Sequence, residues 1–177
     1  MLLQAILIGL VAALGVLGDQ MGSLYINRPI ILAPLVGLIV GNLEQSIVIG
    51  ASLELFFMGA VSVGAYIPPD TIVGGVLATA FALSTGRGIE TAVTLAMPIA
   101  LVSQAIGNLC NVFNSIILRW TDDYAAKGNY NGVGFSHWLI GMITVVRRFL
   151  LVLFAYYLGG DAVGNLINAI PEFVTNG

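Results

Sequence analysis

A carboxylate in apolar surroundings is the first place to look for chemistry, and Glu54 is such a group. It sits in Gly50-Ala51-Ser52-Leu53-Glu54-Leu55-Phe56-Phe57-Met58-Gly59, with the uncharged residues 45–53 before it and 55–69 after it. An acid at membrane depth is costly and is usually kept for a substrate, an ion or a proton path. Ionised, it accepts hydrogen bonds from hydroxyl groups; protonated, it donates one. The alternative is a wet helix end at the membrane surface.

Asp70 is the second candidate. It follows Pro68-Pro69, which remove two backbone donors and open the chain, after a stretch carrying Ser62, Gly64 and Tyr66 with little helical periodicity. Unwound backbone beside a carboxylate offers a polar ligand free amides, free carbonyls and one directional acceptor. Asp70 also precedes the apolar run 71–83, where it fits as an N-cap. The two roles are compatible. Asp19-Gln20 closes the first apolar run, and Arg28 precedes Pro29; each reads as a partner for the acids or as a surface group.

Other chemistries find no footing. Glu44 lies ten residues before Glu54, about 15 Å along a helix and on another face, so the two make a poor catalytic pair. His137 has no Cys, Asp or Glu at ligand spacing, and no metal or other cofactor is expected. Cys110 is the single cysteine and has no internal disulfide partner. No glycine-rich phosphate loop, nucleophile elbow or catalytic triad appears, so the chain is not expected to be an enzyme.

Elements that position these residues must lie in a membrane. Only 15 of 177 residues are charged, six basic and nine acidic, against 58% hydrophobic residues and a mean hydropathy of +0.99. That is too little charge to clothe a soluble surface. The net charge of −3, with scattered cations, excludes nucleic acid as a partner.

Residues 1–18 are uncharged and lack a basic leader, so they read as a membrane segment of about 27 Å rather than a cleaved signal. Residues 29–43 reach only about 22 Å. Pro98 divides the uncharged run 91–118 and is expected to start a helix over 98–118. Residues 119–136 read as an aqueous loop. Arg147-Arg148 interrupts 137–160, and a break placing both at the membrane surface is expected there. Gln104, Asn108, Asn111 and Ser115 form a polar stripe at helical spacing, which suits interhelical hydrogen bonds or a wet path.

Gly37 and Gly41 form a GxxxG pair suited to close helix contact. Gly-Asn-Leu recurs at 41–43, 107–109 and 164–166, weakly in favour of an internal repeat. Short, interrupted apolar segments point to an all-α, polytopic membrane protein with broken helices and re-entrant segments. Residues 1–177 form a single membrane domain on this reading.

Several blocks carry a family signal together. They are Asn27-Arg28-Pro29, Leu35-Val36-Gly37-Leu38-Ile39-Val40-Gly41-Asn42, Gly50-Ala51-Ser52-Leu53-Glu54-Leu55 and Val63-Gly64-Ala65-Tyr66-Ile67-Pro68-Pro69-Asp70. Ala96-Met97-Pro98, His137 ten residues before Arg147, and Asn168-Ala169-Ile170-Pro171-Glu172-Phe173-Val174-Thr175-Asn176-Gly177 continue the pattern. In order and spacing the set resembles the EIIC component of the mannose/fructose/sorbose family of sugar phosphotransferase systems, with a slight lean towards the N-acetylgalactosamine and hexosamine branch.

The resemblance implies a multi-pass subunit of the bacterial inner membrane that translocates a hexose or amino sugar. It implies an EIID membrane partner, and EIIA and EIIB phosphocarriers, with EIIB phosphorylating the emerging sugar. It further implies an elevator-like movement and a homotrimer of EIIC–EIID pairs in contact with lipid. Carried over by position, Glu54, Asp70, Ser62, Asp19 and Gln20 are the expected sugar contacts, although Asn often stands at the place of Ser62. Family members continue past the final block, so the resemblance also implies a C-terminally truncated chain. Two alternatives remain: a proton- or ion-coupled transporter using Glu54, and an inactive scaffold remnant.

Overall fold

The computed structural model describes residues 1–22 and 24–169, with side chains through Gly159. Six helices follow in order: α1 (Leu2–Gln20), α2 (Pro29–Val40), α3 (Leu43–Phe56), α4 (Thr71–Thr85), α5 (Gly88–Ala126) and α6 (Tyr130–Ala169). Among the described residues there is no strand. The sequence block at 170–177 lies outside them.

Three helices are long and apolar enough to cross a membrane: α1, α5 and the Tyr130–Gly159 part of α6. The other three have 12, 14 and 15 residues, short of the roughly 20 that a crossing needs. Helices α2 and α3 form a hairpin. Proline at the first position starts α2 with its φ already set. Gly41 ends it in the left-handed region, at φ 95°. Asn42 then caps α3, its side chain accepting from the Gln45 amide at 3.2 Å. The Gln45 side chain accepts in turn from Asn42 Nδ2 at 2.9 Å.

At the hairpin tip the helices touch through Gly37. A β-carbon there would overlap both the Oγ and the Cβ of Ser46. Of the expected GxxxG pair only Gly37 makes this close contact; Gly41 ends the helix with open space around it.

Helix α4 is the centre of the molecule and packs against all five others. Its residues 72–82 are all buried, and Thr79 satisfies its hydroxyl on the Gly75 carbonyl at 2.7 Å. Gly74 brings α4 onto α5, where a β-carbon would stand 2.8 Å from Ala100 Cβ.

Three boundaries differ from the sequence reading. Pro98 lies inside an unbroken α5 of 39 residues. A proline removes one helical hydrogen bond, but unwinding at membrane depth would expose further backbone groups. The expected aqueous loop is reduced to Lys127–Asn129 between two helices. Arg119, Asp122 and Asp123 are exposed on the end of α5, which at about 58 Å outruns the hydrocarbon core. Asn129 starts the next helix, its side chain accepting from the Gly132 amide at 3.0 Å. Finally, α6 runs through Arg147 and Arg148 without a break, for a reason given by the site.

Candidate functional site

Asp70 begins α4, and its position follows from local chemistry. The chain is non-helical from residue 57 to residue 70, as Gly59, Gly64 and the double proline dictate. Asp70 Oδ1 accepts from the Val73 amide at 3.3 Å, so the expected N-cap is present. Its backbone amide donates to the Ala100 carbonyl at 3.2 Å, fastening the broken segment to α5.

The other oxygen has a different task. Oδ2 receives Arg148 Nε at 2.7 Å and Ser103 Oγ at 2.9 Å. The Asp70 side chain is only 1% exposed, and that of Arg148 is 19% exposed. Here is why α6 needs no break: Arg148 finds its counter-charge inside the protein, on the first residue before α4. Next to it, Arg147 donates from Nη1 to the Ser103 carbonyl at 3.3 Å. Three helices are therefore tied at one buried carboxylate.

Glu54 occupies a separate position. Arg28 donates to its Oε1, Nε at 2.6 Å and Nη2 at 2.5 Å. Its Oε2 accepts from the Ile30 amide at 3.3 Å. That amide belongs to the first turn of α2, where backbone donors lack helical partners and a negative charge is favoured. Glu54 is thus the counter-ion of Arg28 and the cap of a neighbouring helix start. The reading of Arg28 as a surface residue gives way to pairing; the two side chains are 25% and 21% exposed.

Of the five residues expected to contact sugar, three share a cavity. Asp19, Ser62 and Asp70 line a space of about 250 Å³ together with Asn27, Gln104 and Arg148. Asn27 Nδ2 donates to Asp19 Oδ1 at 3.3 Å. Proline 68, Pro69 and Ile67 form its apolar wall. Glu54 is not among the lining residues, nor is Gln20, which points to α6 and donates to the Gly141 carbonyl at 3.4 Å.

Gln104 and Arg148 also border a second polar cavity of about 210 Å³, with Asn111, Asn114, Thr144 and Arg147. Two residues of the sequence stripe on α5, Gln104 and Asn111, therefore face a polar cavity. A larger space of about 520 Å³, between Leu77, Phe81, Val102, Leu151 and Phe154, is lined almost wholly by carbon and offers no polar recognition.

Asn27 and Ser103 were not singled out as site residues from sequence, and Arg148 was read as a surface residue. For Arg148 the signal was available, because an arginine inside an apolar helix demands an internal acid. Ser103 gave none, being a small polar residue on a long helix.

Comparison with known proteins gives this arrangement its context. The family profile described as the sorbose-specific IIC component of a phosphotransferase system matches residues 2–177. The chain belongs to this family. It is 28% identical over 176 residues to the mannose-specific EIIC component of Escherichia coli K12, covering 99% of this chain and 66% of that protein. It is 38% identical over 119 residues to a provisionally named N-acetylgalactosamine permease IIC component 2 of the same strain, covering 67% of this chain and 90% of that one.

Among solved structures, one described as a membrane protein matches with a TM-score of 0.85 at 28% identity, covering 99% of this chain and 71% of that one. A cryo-EM structure of the mannose transporter ManYZ with microcin E492 matches with a TM-score of 0.78 at 26% identity, covering all of this chain and 72% of that one. The chain spans about two thirds, 66%, of the length of the mannose-specific relative. This IIC-family chain is thus an integral membrane protein with the all-α, interrupted architecture that its sequence implies.

Proposed function

We propose that this IIC chain is the sugar-translocating subunit of a phosphoenolpyruvate-dependent phosphotransferase system. The observation that carries the proposal is the polar cavity of about 250 Å³ beside the broken 57–70 segment, in a chain of this family. A sugar presents hydroxyl groups around a ring, so it needs donors and acceptors from several directions and some apolar surface. Asp19 supplies acceptors, Asn27 and Gln104 both kinds of group, Ser62 a hydroxyl and Arg148 donors, against a wall of prolines.

Asp70 acts differently from the others. With Oδ1 on the Val73 amide and Oδ2 on Arg148 and Ser103, it orients Arg148 at the cavity. Glu54 and Arg28 hold the start of α2 beside the site. The transported substrate is a hexose or an amino sugar; the relative named for N-acetylgalactosamine favours the latter. In this reading EIIB phosphorylates the sugar as it reaches the cytoplasm, EIIA supplies EIIB, and an EIID subunit completes the membrane complex, three pairs together in the bacterial inner membrane.

The proton- or ion-coupled alternative loses ground because Glu54 is already engaged by a guanidinium and a backbone amide. Uptake of labelled hexose or N-acetylhexosamine in cells co-expressing the chain with its EIID partner separates the readings. Dependence on phosphoenolpyruvate and EIIB is expected. Uptake driven by a pH gradient without EIIB would overturn the proposal, and no uptake would leave the scaffold reading.

A further inference from the structure

Arg147 and Arg148 are adjacent in a helix long and apolar enough to cross a membrane, yet the carboxylate of Asp70 pairs with Arg148 alone among the described residues. Asp70 is engaged on both oxygens, by the Val73 amide on one and by Arg148 and Ser103 on the other. Among the described residues, the hydrogen bond of Arg147 is a single one, to the Ser103 carbonyl at 3.3 Å. A guanidinium has five N–H donors and cannot shed its charge. An excess positive charge at this depth is costly without a partner.

The space beside it has matching chemistry. The second cavity, of about 210 Å³, is bounded by both arginines, the carboxamides of Gln104, Asn111 and Asn114, and the Thr144 hydroxyl, with no carboxylate among the described residues that line it. Gly107 makes room for the guanidinium: a β-carbon there would stand 3.1 Å from Arg147 Nη1. The volume holds a tetrahedral oxyanion with several waters, each occupying about 30 Å³ in the liquid.

We propose that this cavity is a phosphate-group binding site, held by the free donors of Arg147 with Arg148 and the surrounding amides. The guanidinium fork matches two oxygens of a tetrahedral anion, and such charge-assisted bonds are the stronger kind. The site is separate from the sugar cavity, with which it shares Ile67, Gln104 and Arg148 as a wall. It does not depend on the transport reading.

The test is thermal unfolding of the full chain in a neutral maltoside detergent, titrated with sodium phosphate while chloride holds the ionic strength constant. A saturable rise in midpoint is expected. Arg147→Gln should raise the phosphate concentration at half-saturation about tenfold or more, the scale of hydrogen bonds to a charged group. Gly107→Ala keeps both charges but crowds Arg147, and should also weaken the response; it serves if Arg147→Gln folds poorly. No saturable rise, or an undiminished one in both variants, overturns the proposal.

Reconstitution into phosphatidylglycerol against phosphatidylcholine identifies the source. If phosphatidylglycerol replaces the phosphate response in an Arg147-dependent way, the ligand is a lipid headgroup. If the response to phosphate persists unchanged in both lipids, the ligand is the free ion.

Discussion

Replacing Asp70 by Asn tests the knot that joins α4, α5 and α6. Asparagine keeps the shape and one acceptor, for the Val73 amide, but loses the charge and puts an NH2 donor where Oδ2 accepts from Arg148 and Ser103. Arg148 is then left without its acid, and Arg147 beside it. Breaking a buried ion pair by removing one partner costs about 3–5 kcal/mol. The 19% exposure of Arg148 places this pair towards the lower end, about 3 kcal/mol. Asp70→Ala should cost about 1 kcal/mol more, because it also deletes the cap of α4.

The sharper prediction concerns the pair. Arg148→Met combined with Asp70→Asn removes both charges, and a buried pair replaced together is often close to neutral. The double variant should therefore be more stable than Asp70→Asn alone, with a coupling of about 2 kcal/mol between the sites. Unfolding in mixed micelles of increasing SDS fraction, followed by Trp120 and Trp138 fluorescence, measures all four corners of the cycle. Additivity within about 0.5 kcal/mol would show that the two residues do not act as a pair, and would refute the reasoning.

Three other outcomes follow from local geometry. Glu54→Gln should abolish sugar uptake while leaving membrane insertion intact, since it loses the charge that holds Arg28; uptake at the wild-type rate would remove Glu54 from the mechanism. Gly37→Ala should destabilise the α2–α3 hairpin by about 1–3 kcal/mol, the usual cost of overpacking, and Ser46→Ala should not rescue it because the overlap includes Ser46 Cβ. Asn42→Ala should cost about 1 kcal/mol through the lost cap of α3, read as increased protease cleavage near residue 42.

Much of this was legible along the chain. Fifteen charges among 177 residues decide for a membrane, and the breaks around Gly59, Pro68 and Pro69 fall where α3 ends and α4 begins. Asp70 as a cap and Gly37 as a contact are local facts, readable from neighbours in sequence. The candidate site was legible only in part. Asp19, Ser62 and Asp70 meet around one cavity, whereas Glu54 and Gln20 turn to other partners.

What the sequence by itself determined was the solvent of this protein, the interruption between Gly59 and Pro69 and the Asp70 cap that follows it. These depend on composition and on interactions spanning a few residues. The breaks expected at Pro98 and Arg147-Arg148 are absent. Only the tertiary structure decided which charges meet. Arg148 and Asp70 are 78 positions apart, and Arg28 and Glu54 are 26 apart. No local periodicity links such pairs. In a low-dielectric interior each charge must find an opposite one, and helix packing selects which.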